Sequence, residues 1–243
     1  MIQAALNGDR TRTDLATVPI SIAELAADAI ARVAAGAGAM HLHPRDASGR
    51  ERLDAEIVNA VASHVRAACG VPISVTTGEW IEPDLATRLS LVQGWTAPDE
   101  TSVNISEPGS IEMMRLLLEI GVGIEAGVWT VADAIALGES GLGNRVTRVL
   151  VEPGELQVGT DVAAALHLCA DIHTTLDQYG ITVPRLQHAD GAVTWAVLED
   201  AFRRGIDTRI GLEDTLLNPD GSPTSGNAEL VRYAAALQQR LAV

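Results

Sequence analysis

Short β-branched segments alternate with alanine-rich helical stretches along the whole chain of 243 residues. The predicted strands are residues 2–7, 38–43, 71–76, 101–105, 121–126, 146–151, 182–188 and 207–213. The predicted helices are residues 21–35, 54–68, 83–93, 109–119, 130–138, 160–179, 194–204 and 227–241. Strands that alternate with helices form a parallel sheet. Eight such units favour an α/β fold that is one closed (β/α)8 barrel, or TIM barrel, over an open doubly wound sheet, and we predict a single domain over residues 1–243.

The composition excludes several classes of protein. Hydrophobic residues make up 47% of the chain and charged residues 20%, which is enough apolar surface to form a core. No apolar run approaches the length of a membrane span, and the first residues do not resemble a signal peptide, so we expect a cytoplasmic protein. The net charge of −15 argues against a nucleic-acid partner, because phosphate backbones require a basic surface. Two cysteines, Cys69 and Cys169, do not form a disulfide framework.

The chain contains no lysine, and all 17 of its basic residues are arginines. Lysine is the residue that forms Schiff bases with carbonyl substrates and with pyridoxal phosphate. Both of those chemistries are therefore excluded. If the protein acts on a carbonyl carbon, another group must activate the carbonyl.

A pair of histidines and a carboxylate indicate a metal site. His41 and His43 are two residues apart at the end of the second predicted strand, so their side chains share one face. Glu213 ends the eighth strand, and in a closed barrel strands 2 and 8 both flank strand 1. Two histidines and one carboxylate leave coordination positions open, as in catalytic zinc sites. One catalytic histidine with one packed histidine, and a solvated loop at Glu213 and Asp214, are the alternatives.

Arg209 lies in the same strand end as Glu213 and Asp214. An arginine inside a barrel requires an anionic partner, and Asp214 or a substrate carboxylate would serve. The ends of strands 5, 6 and 7 add Glu125, Glu152 and His188, each of which is either part of the site or a supporting polar group.

Small polar residues end the third and fourth predicted strands. Thr76, Thr77 and Gly78 follow strand 3, and Ser102 and Asn104 share a face of strand 4. Hydroxyl groups and an amide beside a glycine turn suit the binding of a carboxylate through neutral donors. Turn formation explains these residues equally well.

The strand-end motifs HLHPRD, TTG, SVN, GIEAG, VEP and RIGLEDT resemble, in this order, those of the β-keto acid cleavage enzymes, the family of 3-keto-5-aminohexanoate cleavage enzyme. The resemblance implies a (β/α)8 barrel with one divalent metal, usually zinc (Zn2+). By position, the metal ligands would be His41, His43 and Glu213. Arg209 and Asp214 match the catalytic arginine and aspartate of the family. Thr76 matches the serine or threonine with which the family binds substrate. Ser102 and Asn104 match the family's positions on strand 4.

The resemblance also implies the reaction, in which a β-keto acid and acetyl-CoA give acetoacetate and a new acyl-CoA. In the scheme that we expect, Asp214, oriented by Arg209, removes a proton from the acetyl methyl group. The enolate attacks the metal-bound ketone, CoA migrates, and a retro-Claisen step releases acetoacetate. Thr76, Thr77, Gly78, Ser102, Asn104 and Glu125 are expected to bind substrate. Members of the family are commonly tetramers, so we expect a homo-oligomer.

Three departures from the family pattern concern the choice of substrate. Thr76 stands where some members have serine, Glu79 stands where a further glycine is common, and Asp9 is the nearest match to an N-terminal acidic residue. Two other metal enzymes remain as alternatives, an amidohydrolase-type hydrolase and a metal-dependent aldolase. A barrel that is retained as a binding or scaffold protein is the non-enzyme alternative.

Overall fold

The computed structural model describes residues 1–241, and within them eight parallel strands close into a barrel in the order in which they occur in the chain. The strands are β1 (Ile2–Ala5), β2 (Ala39–Leu42), β3 (Ile73–Thr76), β4 (Glu100–Asn104), β5 (Gly123–Val128), β6 (Arg148–Val151), β7 (Arg185–Gln187) and β8 (Asp207–Gly211). Every predicted strand is present. The observed ends of the strands differ from the predicted ends by at most three residues. The prediction of a (β/α)8 TIM barrel is confirmed.

The helices lie between the strands and after the last one. They are α1 (Ile22–Ala35), α2 (Ala55–Cys69), α3 (Leu85–Val92), α4 (Ser110–Ile120), α5 (Val131–Glu139), α6 (Glu155–Val158), α7 (Val162–Gln178), α8 (Thr194–Arg204) and α9 (Asn227–Leu241). The sequence did not predict α6 or the 3₁₀ turn at Gly191–Val193, because segments of three or four residues are too short to show a helical repeat. Both segments follow a strand and border the site described below.

Helix α1 begins with a capping box. The Ser21 hydroxyl accepts a hydrogen bond from the Glu24 backbone nitrogen at 3.3 Å, and the Glu24 carboxylate accepts one from the Ser21 nitrogen at 2.8 Å. These two bonds satisfy donors that the first turn of a helix leaves free. None of the described helices is both long and apolar enough to cross a membrane.

The barrel interior contains a buried polar layer. Gln3 on β1 donates a hydrogen bond to Glu125 on β5 at 2.8 Å, and these strands lie on opposite sides of the barrel, so the contact crosses its interior. Arg148 Nε lies 2.8 Å from the same Glu125 oxygen, and Ser74 donates to the other oxygen. A buried charge is costly unless it is paired, and here the ion pair and hydrogen bonds offset that cost. This layer lies beneath the strand ends and supports them.

Candidate metal and catalytic site

A cavity of about 340 Å³ opens at the carboxyl ends of the strands. Active sites in (β/α)8 barrels lie at this end, because the βα loops meet there. The predicted metal ligands and the predicted catalytic pair line the cavity, as do Thr76, Ser102 and Asn104. The cavity is large enough for a small organic substrate.

The side chains of His41, His43 and Glu213 converge at the cavity floor. Glu213 Oε1 lies 3.8 Å from His41 Nε2 and 3.7 Å from His43 Nε2. The three side chains can each offer one ligand atom within 4.8 Å of the others. Strand β1 pairs with both β2 and β8, which is why residues 170 positions apart in the sequence meet here.

Hydrogen bonds fix both histidines in the tautomer that a metal requires. Ser74 donates its only hydroxyl proton to Glu125, so it must accept the 3.1 Å hydrogen bond from His41 Nδ1. His43 Nδ1 contacts the carboxylate of Glu51, which accepts hydrogen bonds when ionised. Both Nδ1 atoms therefore carry protons, and both Nε2 lone pairs face Glu213. Metal-ligating histidines are oriented in this way by a partner on their other nitrogen.

The charges at this cluster also fit a cation. Burial lowers the pKa of His41 to about 4, so its ring is neutral at pH 7 and free to act as a ligand. Burial alone would raise the pKa of Glu213, but Arg209 and His41 hold it well below its usual value. Among the described residues, no group donates a hydrogen bond to the buried Glu213 Oε2. Two imidazoles and a carboxylate are a donor set that suits a divalent cation such as zinc.

Arg209 and Asp214 form a buried pair beside this cluster. Arg209 donates to Asp214 Oδ1 from Nε at 3.1 Å and from Nη2 at 2.7 Å, and its Nη2 also lies 3.1 Å from Glu213. The other oxygen, Asp214 Oδ2, is buried and has no hydrogen-bond partner within residues 1–241. Burial raises the pKa of Asp214, and Arg209 partly offsets that effect. The pair thus presents one anchored oxygen and one that is free to accept a proton.

The wall from β3 and β4 offers both donors and an acceptor. Thr76 Oγ1 accepts a hydrogen bond from the Gly78 nitrogen at 3.1 Å, so its hydroxyl proton is available to a substrate. Ser102 places a second hydroxyl group on the wall. Asn104 donates its amide to Glu107 at 2.7 Å, and its carbonyl oxygen remains as an acceptor at this wall.

The other predicted substrate-binding residues lie behind the wall. Thr77 donates its hydroxyl to the Ser102 carbonyl at 2.8 Å, and Gly78 packs under the ring of Trp80. Glu125 is fully buried in the polar layer, where it contacts Ser74 rather than the cavity. The expectation that Glu125 faces substrate placed the end of β5 at residue 126, whereas the strand continues to Val128 and leaves Glu125 in the buried layer below the cavity.

Two strand-end residues that the sequence left open form a second polar pair. Glu152 Oε2 lies 2.7 Å from His188 Nε2, and Glu152 Oε1 accepts a hydrogen bond from Trp129 Nε1. Burial alone would raise the pKa of Glu152, but the adjacent His188 lowers this pKa below its usual value. His188 Nδ1 lies 3.8 Å from Asp214 Oδ1. The pair therefore borders Arg209 and Asp214.

Sequence reasoning missed Glu51 and did not assign Trp80 to the site. Trp80 lines the cavity directly after the TTG motif, and that position is a signal that could have been used. Glu51 lies in a loop eight residues after His43, and no pattern marks it. Asp9 also lines the cavity, whereas Glu79 does not.

Comparisons with known proteins agree with this arrangement. A family model described as beta-keto acid cleavage enzyme matches residues 1–137 and 185–242. Residues 138–184 lie outside that match, and they supply Glu152, Gly154, Leu156 and Gln157 of the cavity wall. No curated protein matches the chain significantly.

Solved structures share the fold at low sequence identity. The ternary complex of ObcA with a C4-CoA adduct and oxalate is 16% identical with a TM-score of 0.72, covering 92% of this chain and 64% of that one. The binary complex of ObcA with oxaloacetate is 15% identical with a TM-score of 0.70, covering 90% and 63%. The chain thus spans less than two thirds of the ObcA chains. Dihydropteroate synthase from Yersinia pestis is 12% identical with a TM-score of 0.60, covering 100% and 92%.

Proposed function

The chain belongs to the beta-keto acid cleavage enzyme family, and we propose that it converts a β-keto acid and acetyl-CoA into acetoacetate and a new acyl-CoA, with zinc or another divalent cation as its cofactor. The observation that carries the proposal is the convergence of His41, His43 and Glu213 beside the Arg209–Asp214 pair. The ObcA complexes with oxaloacetate, which is a β-keto acid, and with a CoA adduct support the substrate class.

His41, His43 and Glu213 would hold the cation. When bound, a divalent cation would supply Lewis-acid polarisation of a carbonyl oxygen. The absence of lysine supports this assignment, because the chain has no residue that could activate a ketone as a Schiff base.

The carbon skeletons of the products decide which proton is removed. Acetoacetate consists of an acetyl group joined through its carbonyl carbon to C2 of the β-keto acid. An enolate formed on the acetyl methyl group would instead join that methyl carbon to the ketone, and its cleavage could not release acetoacetate. The base must therefore act on C2, between the ketone and the carboxylate, and this corrects the scheme expected from the resemblance.

Asp214 is the base in this proposal, and Oδ2 is its reactive atom. Oδ2 removes a proton from C2, and the C2 carbanion attacks the thioester carbonyl of acetyl-CoA, so that a C–C bond forms and the C–S bond breaks. The CoA thiolate then attacks the ketone carbon, and the bond between that carbon and C2 breaks. The electron pair remains on C2, which takes the proton back from Asp214. Arg209 holds Oδ1 throughout, which leaves Oδ2 as the oxygen that takes the proton.

The hydroxyl groups of Thr76 and Ser102 are proposed to bind the substrate carboxylate. Both residues line the cavity, and neither hydroxyl proton is donated to another group of the described chain. Thr77 and Gly78 support this wall from behind, and Asn104 offers an acceptor to the remainder of the substrate. Glu125 contributes through the buried layer by holding Ser74.

A coupled product assay tests the proposal. Purified protein would be incubated with acetyl-CoA and a panel of β-keto acids, before and after metal removal, and new acyl-CoA species would be sought by mass spectrometry. A new acyl-CoA with acetoacetate, lost on chelation and restored by zinc, is the expected result. Turnover without CoA would overturn the proposal and favour a hydrolase or an aldolase.

The assembly and location of the protein are further proposals. We propose a homo-tetramer, which is common among members of the family, and a cytoplasmic location. Light scattering coupled to gel filtration tests the tetramer, and cell fractionation tests the location.

A further inference from the structure

The carboxylate of Glu51 joins a proposed metal ligand to an aromatic residue at the cavity rim. One of its oxygens contacts His43 Nδ1, and the other accepts a hydrogen bond from Trp80 Nε1 at 3.3 Å. The Glu51 side chain is 15% exposed. An antiparallel bridge between Arg45 and Glu51 fixes the backbone of this loop. The bridge therefore limits the positions that the Glu51 carboxylate can take.

The indole of Trp80 also contacts the same histidine directly. Its ring stacks on His43 with 6.0 Å between centroids and 28° between planes. On its other side the ring packs on Gly78, where a Cβ atom would lie 2.2 Å from it. Trp80 is nevertheless 50% exposed and lines the cavity. An aromatic side chain in this position needs specific partners to remain in place, and Glu51 and His43 supply them.

The two histidines differ in how firmly they are held. His41 Nδ1 bonds to Ser74 within the buried polar layer. His43 Nδ1 depends on Glu51, which lies in a loop. Removal of the Glu51 carboxylate would leave the His43 ring without the hydrogen bond that sets its tautomer and its plane.

We propose that Glu51 is a positioning residue for His43 and that it couples occupancy of the metal site to the placement of Trp80. A bound cation would act through His43, whose ring contacts both Glu51 and Trp80. This inference rests on the metal site of the proposed function, but it does not depend on the identity of the reaction.

Zinc affinity of the metal-free protein tests the positioning role. Competition with a chromophoric chelator would give the zinc dissociation constant of the wild type and of Glu51→Ala, Glu51→Gln and Glu56→Ala. Loss of such an outer partner weakens metal binding about 10–100-fold, and we expect this for Glu51→Ala. Glu51→Gln keeps an acceptor oxygen and should lose less. Glu56→Ala removes an exposed carboxylate from α2 and should bind as the wild type does.

Tryptophan fluorescence tests the coupling. Zinc should change the emission of the wild type, and this change should disappear in Trp80→Phe and diminish in Glu51→Ala at saturating zinc. An unchanged zinc response in Trp80→Phe would overturn the coupling. Zinc affinity of Glu51→Ala within about twofold of the wild type would overturn the positioning role, since the expected loss is about 10–100-fold.

The outcomes separate this inference from the proposed function. If the wild type binds zinc and the variants behave as expected, the inference stands even if no β-keto acid is turned over. If the wild type turns over a β-keto acid and Glu51→Ala binds zinc normally, the inference alone fails. If the wild type binds no zinc, both the metal role in the proposed function and this inference fail.

Discussion

Arg209 places two donors on one oxygen of Asp214, with Nε at 3.1 Å and Nη2 at 2.7 Å from Oδ1. Asp214 is fully buried and the Arg209 side chain is 9% exposed, so this ion pair is formed away from solvent. The arrangement anchors the carboxylate by one oxygen and leaves the other free. The pair therefore has a consequence for stability as well as for the proposed proton transfer.

Arg209→Met should strongly destabilise the protein. The substitution leaves the Asp214 carboxylate buried without its counter-charge, and breaking a buried pair from one side costs about 3–5 kcal/mol. Urea unfolding of the metal-free protein measures the loss. The matched control is Arg203→Met, which breaks the exposed pair between Arg203 and Glu199 on α8 and should have little effect. Equal losses in the two variants would contradict the prediction.

Asp214→Asn should abolish proton removal while it preserves the fold. An asparagine keeps the size of the side chain and an oxygen for Arg209, but it cannot accept the proton from C2. We expect hydrogen exchange at C2 of a bound β-keto acid to slow by about 10²–10⁴-fold, the usual contribution of a general base. Proton NMR in deuterated water, without acetyl-CoA, measures the exchange. Unchanged turnover in this variant would show that Asp214 is not the base.

Gly8→Ala should disturb the metal site through Glu213. Gly8 has a φ of +52°, and a Cβ there would lie 2.4 Å from Glu213 Cγ, so the ligand would have to shift. We expect weaker zinc binding together with a loss of stability. Gly121→Ala is the matched control, because Gly121 has a φ of +78° with nothing within 4 Å of its Cβ position. This control should lose about 1–2 kcal/mol of stability from backbone strain, with unchanged zinc affinity. Similar zinc affinity in both alanine variants would refute the prediction.

Glu152 should make the protein less stable in acid. The pKa of Glu152 in the folded protein is lowered from 4.5, chiefly by His188 acting against burial. Its ionised form therefore stabilises the folded state above pH 4.5, and that contribution is lost as the pH falls through the lowered pKa. Glu152→Gln should flatten this part of the stability curve, measured by urea unfolding between pH 3 and pH 6. Glu119→Gln, on the exposed side of α4, should leave the curve unchanged.

The site residues at the strand ends could be predicted because the sequence pattern that marks them is local. His41 and His43 share a face as a consequence of the two-residue period of a strand, and the order of the strands brought Glu213 to them. The capping box at Ser21 and Glu24 was equally local. Side chains whose roles depend on register or on a loop were not predictable in this way. Glu125 points into the barrel rather than at the cavity, and Glu51 reaches His43 only because its loop folds back on Arg45.

The sequence by itself determined the alternation of strands and helices, and with it the closed barrel and the end at which polar side chains gather. It also excluded Schiff-base chemistry, since the chain has no lysine. The tertiary structure decided which side-chain atoms of the site have no hydrogen-bond partner among the described residues. Asp214 Oδ2 is left without a hydrogen-bond partner, and the Nε2 atoms of both histidines are left for a ligand, because Arg209, Ser74 and Glu51 occupy the opposite atoms. The physical reason is that the two-residue alternation of a strand specifies which face each side chain occupies. A hydrogen bond between distant strands forms only when the barrel has packed.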